Sequence, residues 1–262
     1  MKILITGGSG FIGSHLVQYF QKLKWEVFAP SSRELDLMDR QSCLFYFELH
    51  SFDVVIHAAT PHYVPNAGIF VENQYEKICQ MFNNLYSQTH NISCFELGSG
   101  ADMSESELGR GKQYIKERIV KSPNWTYLRL FGVFGEREHP SRFFPSLFRE
   151  AQTTKTITIK NPNGLFSFID IHDLCEIIRL FCVQKRQYQE YNICNSETKT
   201  LGYWGEFLSK TLNAKLILEQ KPPYNYYCDN TRLVEELHPS FTPMKESIYN
   251  YYKSYLEKEI KQ

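Results

Sequence analysis

A glycine-rich segment near the start of the chain is the strongest candidate for chemistry. Residues 6–13 read Thr-Gly-Gly-Ser-Gly-Phe-Ile-Gly and satisfy both Gly-x-Gly-x-x-Gly and Gly-x-x-Gly-x-x-Gly. In such a segment one glycine allows a tight turn, another lets the backbone approach a pyrophosphate, and a third lets the next helix pack close to the sheet. The positive end of that helix then faces the phosphate charge. Between a predicted strand and a predicted helix the pattern is specific. It predicts dinucleotide binding by Gly7, Gly10, Phe11, Ile12 and Gly13.

The end of the second predicted strand bears on which dinucleotide would bind. An acidic residue about 20 positions after the glycine loop usually binds the ribose 2′-hydroxyl of NAD. Here the strand is followed by Ser31, Ser32 and Arg33, with no carboxylate at its end. Hydroxyls and a guanidinium suit a 2′-phosphate, so NADP is favoured. Glu34 and Asp36 follow closely and keep NAD possible, and a solvated loop charge is the alternative explanation of Arg33.

Further short motifs follow in a fixed order along the chain. They are Arg33–Asp39, His57–Ala59, Leu97–Ala101, Arg129–Gly135, Phe166–Asp170 with Asp173, and Tyr191–Ile193. Together with the glycine loop they resemble the extended short-chain dehydrogenases over residues 1 to about 200. The resemblance is to the NAD-dependent epimerase/dehydratase family, and within it to the nucleotide-sugar reductase branch that includes GDP-fucose synthase and dTDP-4-dehydrorhamnose reductase. Each motif is short, but their combination and order are specific.

The resemblance implies where residues would lie around a bound dinucleotide. Asp36 and Leu37 would lie near the adenine. The residues that would line the dinucleotide are Ala58, Ala59 and Thr60, and those that would pass the nicotinamide are Phe131 to Val133. Family members are often dimers, so the resemblance also implies a possible homodimer.

Members of this group generally use a Ser or Thr together with a Tyr and a Lys spaced Y-x-x-x-K on one helix. The phenol gives or takes the proton as hydride moves, and the ammonium lowers the pKa of the phenol while it binds the nicotinamide ribose. One helical turn places the Tyr and the Lys on the same face. By position, Ser99 matches the Ser and Lys112 matches the Lys. The residue four positions before Lys112 is Leu108, however, where the family has Tyr.

Leu108 leaves three interpretations open. The chain binds a cofactor but does little chemistry, or another group supplies the proton, or the true Tyr lies in a different register. Candidate proton donors in the sequence are His62, Tyr63, Asp102 and Tyr114. Tyr114 lies about 200° around the helix from Lys112 and so does not share its face. A solvated helix charge is the alternative explanation of Lys112.

The segment after the fifth predicted strand is a candidate for binding substrate. GDP-fucose synthase also uses a Cys just after the Ser and a His ahead of the next helix, and the matching positions here are Gly100 and Arg142. A 3,5-epimerisation is therefore not expected. Arg142, followed by Phe143 and Phe144, could clamp a diphosphate and a base, since a guanidinium suits phosphate oxygens. A surface Arg beside two core rings is the alternative. The predicted substrate-binding residues are Ser99, Arg142 and Phe143.

These residues need a particular set of elements to position them. Short apolar runs alternate with helical patterns, as in a parallel sheet flanked by helices. Strands are predicted at 2–6, 26–29, 53–57, 94–97, 126–130, 166–171 and 191–194, and helices at 11–23, 41–50, 72–89, 111–120 and 249–260. We predict an α/β protein with a Rossmann-type doubly wound parallel sheet and a smaller C-terminal substrate lobe. The dinucleotide-binding domain would comprise residues 1–133 and 165–195, and the substrate-binding lobe 134–164 and 196–262.

Composition narrows the classes of function. Lys plus Arg and Asp plus Glu number 29 each, so no overall field is expected to attract nucleic acid or an anionic membrane. The seven cysteines form no C-x-x-C pair, which favours reduced thiols in a cytoplasmic protein. The short apolar start is not typical of a signal peptide, and no apolar run has the length of a membrane span. The histidines lack the spacing of metal ligands, so no metal is expected.

These observations favour an NADP-dependent oxidoreductase that acts on a nucleotide-activated 4-keto sugar in surface polysaccharide synthesis, with Ser99 and Lys112 assisting the transfer of hydride. The first alternative is a protein of the same fold that binds a dinucleotide or nucleotide-sugar without turnover. The second is an NAD-dependent nucleotide-sugar epimerase or dehydratase.

Overall fold

A computed structural model describes residues 1–61, 71–220 and 222–259 of the chain. In chain order the strands are β1 (Lys2–Thr6), β2 (Glu26–Phe28), β3 (Val54–His57), β4 (Ser93–Ser99), β5 (Trp125–Leu130), β6 (Val133–Phe134), β7 (Thr156–Ile159), β8 (Leu165–Phe166), β9 (Ile169–Asp170), β10 (Glu190–Ile193), β11 (Lys199–Thr200) and β12 (Lys215–Leu218). The α-helices are α1 (Phe11–Lys22), α2 (Arg40–Leu49), α3 (Gln74–Tyr86), α4 (Glu107–Ile119), α5 (Phe143–Thr154), α6 (Ile171–Val183), α7 (Leu201–Thr211), α8 (Thr231–Leu237) and α9 (Met244–Glu259).

The chain divides into two compact units. Unit 1 comprises Met1–Leu130, Cys175–Asn192 and Glu235–Leu237, and unit 2 comprises Phe131–Leu174, Ile193–Val234 and His238–Gln262. The assignment of one unit to dinucleotide binding and of the other to substrate binding stays a prediction.

Unit 1 is built on a six-stranded sheet with the order β10-β5-β4-β3-β1-β2. The pairs β1–β2, β1–β3, β3–β4 and β4–β5 are parallel, so the carboxyl ends of these five strands lie at one edge. The order of the strands reverses between β1 and β3, and in doubly wound sheets ligands bind at such a switch point. The predicted fold class, an α/β protein with a doubly wound parallel sheet, is confirmed.

Helices cover both faces of this sheet. On one face, a buried cluster that includes Val55, Cys94 and Tyr127 packs with residues of α2, α3 and α4. On the other face, Phe95 of β4 contacts Phe181 of α6, with ring centroids 6.0 Å apart. Strands buried on both faces are typically continuous apolar runs, as in β1 and β3.

The structure corrects three predicted elements, of which the first is the helix predicted at 249–260, since α9 begins five residues earlier, at Met244. The helix predicted from residue 111 begins at Glu107, where the Ser106 hydroxyl accepts a hydrogen bond from the backbone N–H of Gly109. Glycines at 109 and 111 disfavour a helix locally, so helix propensity alone does not predict the first turn. The strand predicted at 166–171 is two short strands, because β8 pairs with β11 and β9 pairs with β6.

Unit 2 is organised around an aromatic core. Its buried cluster takes residues from α5, α7, α9 and β7, and Leu216 of β12, the parallel partner of β7, packs against it. Phe144, Phe148, Trp204 and Tyr251 are among its largest side chains. Aromatic residues make up 15% of the chain, and much of this content therefore serves to pack the core. Within the described residues, no helix combines the length and the apolar character that a membrane crossing requires.

Candidate active site

The glycine loop forms a tight turn that leads directly into α1. The backbone N–H of Gly10 donates to the carbonyl of Gly7 at 3.0 Å, and Gly7 has a φ of +70°. A Cβ atom added to Gly13 would lie 2.1 Å from the Gly7 oxygen, so a side chain at that position would displace the loop. These are the conformational demands that the glycine spacing meets. Dinucleotide binding by Phe11, Ile12 and the glycines stays a prediction.

The segment after β3 lies directly against this loop. A Cβ atom added to Gly7 would be 2.8 Å from the Cα of Ala59, so the two backbones are in close contact. Ala58 and Ala59 are half-buried and Thr60 is exposed. The loop and this segment therefore meet at the switch point of the sheet. The next candidates along the chain, His62 and Tyr63, lie outside the described residues.

The loop after β2 exposes the positive charge of Arg33. Ser31, Ser32 and Arg33 are all exposed, and the described residues include no ion-pair partner for Arg33. The Glu34 carboxylate instead accepts hydrogen bonds from the backbone N–H and the hydroxyl of Ser31, at 2.8 and 2.9 Å. The bond from the Ser31 backbone, followed by that from its hydroxyl, lowers the pKa of Glu34. Glu34 is thus engaged within its own turn.

The two residues expected near an adenine differ in environment. Asp36 is exposed, and its carboxylate accepts a bond from the backbone N–H of Met38 at 2.9 Å. The side chain of Leu37 is buried in the core of unit 1. Its carbonyl accepts a hydrogen bond from the Asn84 amide at 2.9 Å.

Ser99 ends β4 beside a buried tyrosine. Its hydroxyl accepts a bond from the backbone N–H of Ala101 at 3.1 Å, which starts a single 3₁₀ turn at residues 100–103. Its own backbone N–H donates to the Tyr127 hydroxyl at 3.4 Å. A Cβ atom on Gly98 would lie 2.2 Å from Cζ of Tyr127, so the glycine leaves room for the ring. Burial, then the charges of Asp102 and Glu96, raise the pKa of Tyr127 well above its ordinary value.

Asp102, one of the candidate proton donors, is held by an arginine. The Nε atom of Arg129 lies 3.0 and 2.8 Å from the two carboxylate oxygens of Asp102. The same guanidinium contacts Glu190 at 2.6 Å and Asn192 at 2.9 Å. Asp102 therefore accepts hydrogen bonds in an ion pair that fixes the turn after Ser99.

Neither Leu108 nor Tyr114 is placed to act together with Lys112. Leu108 is half-buried and packs against the core of unit 1. The Tyr114 hydroxyl exchanges hydrogen bonds with the side-chain amide of Asn83 in α3, at 2.9 and 3.1 Å. The expectation that Tyr114 does not share the face of Lys112 agrees with this contact.

Lys112 is buried and ion-paired, so the alternative of a solvated helix charge is wrong. Its side chain is 5% exposed, and Nζ donates to Oε1 of Glu96 at 2.7 Å and to the carbonyl of Leu97 at 3.0 Å. Oε2 of Glu96 lies 3.9 Å from Nε2 of His57. The Nδ1 atom of His57 is hydrogen-bonded to the Thr6 hydroxyl at 2.7 Å.

Sequence reasoning missed Glu96. The signal was present, because Glu96 interrupts the otherwise apolar run from Cys94 to Leu97. Burial raises the pKa of Glu96 to about 7, although Lys112 opposes the shift. Burial, then the charge of Lys112, lowers the pKa of His57 to about 3, so the imidazole is neutral.

Phe131 and Val133 are residues of unit 2. Both side chains are buried. Phe131 donates its backbone N–H to the carbonyl of Ile193 at 3.1 Å, and Val133 lies in β6. Between them Gly132 has a φ of +45°, and a Cβ atom there would lie 2.4 Å from the Ser167 oxygen.

Arg142 and Phe143 are also in unit 2, at the start of α5. Arg142 is exposed and its Nε contacts the buried carboxylate of Glu138 at 3.3 Å. Burial raises the pKa of Glu138 to about 7, while Arg142 lowers it. Phe143 stacks on Phe168 with ring centroids 5.6 Å apart. Substrate binding by Ser99, Arg142 and Phe143 stays a prediction, and among the residues that the structure describes no three potential ligands are grouped to hold a metal ion.

Comparison with known proteins identifies relatives in sequence and in structure. The NAD dependent epimerase/dehydratase family matches residues 3–98 and 112–194. The chain is 26% identical over 218 residues to GDP-6-deoxy-D-talose 4-dehydrogenase of Aggregatibacter actinomycetemcomitans, covering 74% of each protein. The solved structure of a GDP-L-fucose synthetase from Naegleria fowleri bound to NADP is similar, with a TM-score of 0.78, 17% identity, and coverage of 98% of this chain and 94% of that one.

A second solved structure is similar over nearly its whole length. The dTDP-glucose 4,6-dehydratase of Bacillus anthracis in complex with NAD has a TM-score of 0.82 and 14% identity, with coverage of 99% of this chain and 97% of that one. These structures share the fold. The family match spans most of the chain and includes the glycine loop and the strands that end at the candidate site. The chain therefore belongs to the NAD dependent epimerase/dehydratase family.

Proposed function

We propose that this chain is an NADP-dependent oxidoreductase that acts on the keto group of a nucleotide-activated sugar. The observation that carries the proposal is the meeting of the glycine loop and the Ala58–Thr60 segment at the switch point of the sheet. Added Cβ atoms at Gly7 and Gly13 would collide with backbone there, so these glycines let the loop pack tightly against the Ala58–Thr60 segment and against the start of α1, as a dinucleotide-binding turn requires. The residues present thus suit a dinucleotide.

The charge around the loop after β2 supports NADP over NAD. Arg33 is exposed, whereas the neighbouring carboxylate of Glu34 is engaged with Ser31. A guanidinium can form paired hydrogen bonds to the 2′-phosphate of NADP. The 2′-hydroxyl of NAD offers no such paired acceptors. One similar structure contains NADP and another contains NAD, so family membership alone does not choose between them.

The chain's own residues would act on the sugar at the end of β4. A bound reduced dinucleotide supplies hydride to the keto carbon. The Ser99 hydroxyl accepts a bond from Ala101 and keeps its own hydrogen for the sugar oxygen. Lys112 uses two N–H groups within β4 and has a third, since an ammonium has three donors.

The class of substrate follows from the relatives, several of which are named for GDP-sugars. We therefore propose a nucleotide-activated 4-keto sugar as substrate, with Arg142 contacting its diphosphate. A place in surface polysaccharide synthesis and a cytoplasmic location belong to the same proposal.

Leu108 favours a second candidate, a family member that binds its ligands without turnover. The family's phenol is absent from that position, and Asp102 and Tyr114 are engaged elsewhere. A non-catalytic protein needs no replacement for the phenol, whereas the proposed reductase does.

The first experiment measures NADPH and NADH affinity by fluorescence, for the natural chain and for Arg33→Ala. We expect tighter binding of NADPH, a roughly tenfold weakening of NADPH in R33A because a charge-assisted hydrogen bond is lost, and little change for NADH. Arg149→Ala, which removes an exposed arginine of α5, is the matched control.

Turnover separates the two candidates. Oxidation of NADPH with a panel of nucleotide 4-keto sugars would establish the reductase. Tight NADPH binding with no turnover on any of them would favour the non-catalytic protein. Failure to bind either dinucleotide would rule out the reductase and would leave only a protein that binds a nucleotide-sugar without turnover.

A further inference from the structure

A buried polar cluster in unit 1 contains one residue, Glu96, that the family pattern described above does not include. It consists of Glu96 in β4, Lys112 in α4, His57 at the end of β3 and Thr6 at the end of β1. We call these four residues the Glu96 cluster. It joins the carboxyl ends of β1 and β3, between which the switch point lies, to the helix that carries the candidate catalytic lysine.

Glu96 is the member whose presence most needs an explanation. The residue is fully buried, and Phe95 and Leu97 beside it in the strand are apolar. A carboxylate is disfavoured in such a place unless it is paired and hydrogen-bonded. Lys112 satisfies Oε1, but Oε2 has no hydrogen-bond partner among the described residues. An apolar residue would fill the strand without this cost, so stability alone does not account for Glu96.

The contacts of Lys112 show what Glu96 does to it. The ammonium donates to Glu96 and to the Leu97 carbonyl, and both acceptors belong to β4. These two bonds fix Nζ relative to the strand that ends at Ser99. The third N–H is then the one that a ligand could receive.

Because position 108 holds a leucine, the position of Lys112 matters more here than in the family pattern. In the family pattern the lysine works through a tyrosine one turn earlier on the helix, and here that position holds an apolar side chain. A lysine without a phenol must contact the ligand itself if it is to move a proton. Its position and charge then depend on whatever holds it.

We propose that Glu96 is the positioning residue of this site: it holds Lys112 so that the third N–H of Nζ donates to the keto oxygen of the sugar. This inference rests on the proposed function. As hydride from the reduced dinucleotide adds to the keto carbon, the proton on Nζ moves to the oxygen and completes a hydroxyl group. The uncharged amine left beside Glu96 then regains a proton from water.

The groups that face Glu96 set the pH at which this arrangement would fail. They are Lys112 from α4, His57 from β3 and Tyr127 from β5. The pKa of His57 is about 3 and that of Tyr127 lies well above its ordinary value, so neither of these two titrates near neutral pH. Protonation of Glu96 as the pH falls removes the charge that holds Lys112.

The kinetic test compares Glu96→Gln with the natural chain in sugar reduction across neutral pH. We expect kcat/KM of the natural chain to fall as the pH drops through about 7. E96Q should lack that inflection and lose about 100-fold in kcat/KM, because a misplaced group costs that much. Glu96→Asp keeps the charge and should recover part of the loss. Glu176→Gln, which removes a carboxylate ion-paired with Arg179 in α6, is the control and should change neither value nor profile.

A second measurement does not depend on turnover. In protein carrying ¹⁵N at the lysine side chains, the ammonium of Lys112 should exchange slowly and give a signal that disappears in Lys112→Met. E96Q should shift or abolish this signal. An unchanged Lys112 signal in E96Q would overturn the proposal, as would an unchanged pH inflection. Absence of dinucleotide binding and turnover would refute the proposed function, while a changed signal would still support the control of Lys112 by Glu96.

Discussion

Glu96, a buried acid, and His57, a buried base, lie next to each other in unit 1, and the protonation of both side chains is linked to folding. Burial raises the pKa of Glu96 from its ordinary 4.5 to about 7 and lowers that of His57 from 6.5 to about 3. A group whose pKa is raised in the folded protein contributes stability that is fully present below its pKa in the unfolded chain. That stability is lost as the pH rises through its pKa in the folded protein. A lowered pKa gives stability that is full above the unfolded value and is lost as the pH falls. Between pH 4.5 and 6.5 the two trends oppose each other.

Removal of one group should therefore expose the trend of the other. In E96Q the free energy of unfolding should rise with pH, relative to the natural chain, by up to about 1.4 kcal/mol per pH unit in that window, because each pH unit is worth that much per proton. His57→Gln should show a relative fall with rising pH instead. Urea unfolding at several pH values measures both. Curves that run parallel to that of the natural chain would contradict this account of the pair.

Residues whose role depends on near neighbours in the chain could be predicted from sequence, and those that depend on distant partners could not. The glycine loop is such a local feature, since its turn and the helix start lie within eight residues. The ion pair of Asp102 with Arg129, by contrast, joins positions 27 residues apart. Nothing in the sequence near Asp102 shows that its carboxylate is engaged, so the sequence alone does not exclude Asp102 as a proton donor.

At the scale of elements, close packing explains why glycines occur inside α4, where their helix propensity is poor. Gly111 in α4 faces α3, and a Cβ atom there would lie 2.9 Å from a methyl group of Ile78. Gly111 lets the two helices approach, which offsets its poor helix propensity, whereas Gly109 makes room for the preceding turn, because a Cβ atom there would lie 2.2 Å from the Ser104 carbonyl oxygen. Strands and helices with strong periodicity were predicted to within a few residues, whereas the start of α4 required knowledge of what it packs against.

The first βα connection gives a matched pair of substitutions. Gly13→Ala places a Cβ atom 2.1 Å from the Gly7 oxygen, so the loop must move. We expect a loss of about 1–3 kcal/mol in the free energy of unfolding, as for other overpacked sites. Gly10→Ala introduces no contact closer than 3.3 Å, and Gly10 has an ordinary φ of −74°.

G10A should therefore unfold within about 1 kcal/mol of the natural chain, as substitutions without a specific clash usually do. Urea unfolding of both variants decides the matter. Equal stability of G13A and G10A would mean that α1 does not need a glycine at position 13 to pack against the loop.

At the scale of the whole molecule, the chain returns to unit 1 twice after leaving it. Residues 175–192 supply part of α6 and most of β10, and Glu235–Leu237 return once more. Glu236 accepts hydrogen bonds from the Tyr191 hydroxyl at 2.5 Å and from the backbone N–H of Gln187 at 2.7 Å. The periodicity of the first hundred residues predicted the central sheet, but these returns depend on contacts between positions far apart in sequence.

The first return should be required for unit 1 to fold. Arg186 donates to the Ser93 hydroxyl and to the Asn124 carbonyl, both at 2.9 Å, and its guanidinium lies 4.9 Å from the ring of Phe95. A fragment of residues 1–130 contains the whole glycine loop and β1–β5 but lacks these contacts and the edge strand β10, which lies next to β5 in the sheet. We expect it to unfold in urea without a cooperative transition and to bind no NADPH. The same fragment joined to residues 175–192 by a Gly-Ser linker should recover a transition, because it restores the edge strand and the face against α6. Cooperative unfolding of the 1–130 fragment alone would show that the first five strands suffice, and that the later segments are additions to an already stable unit.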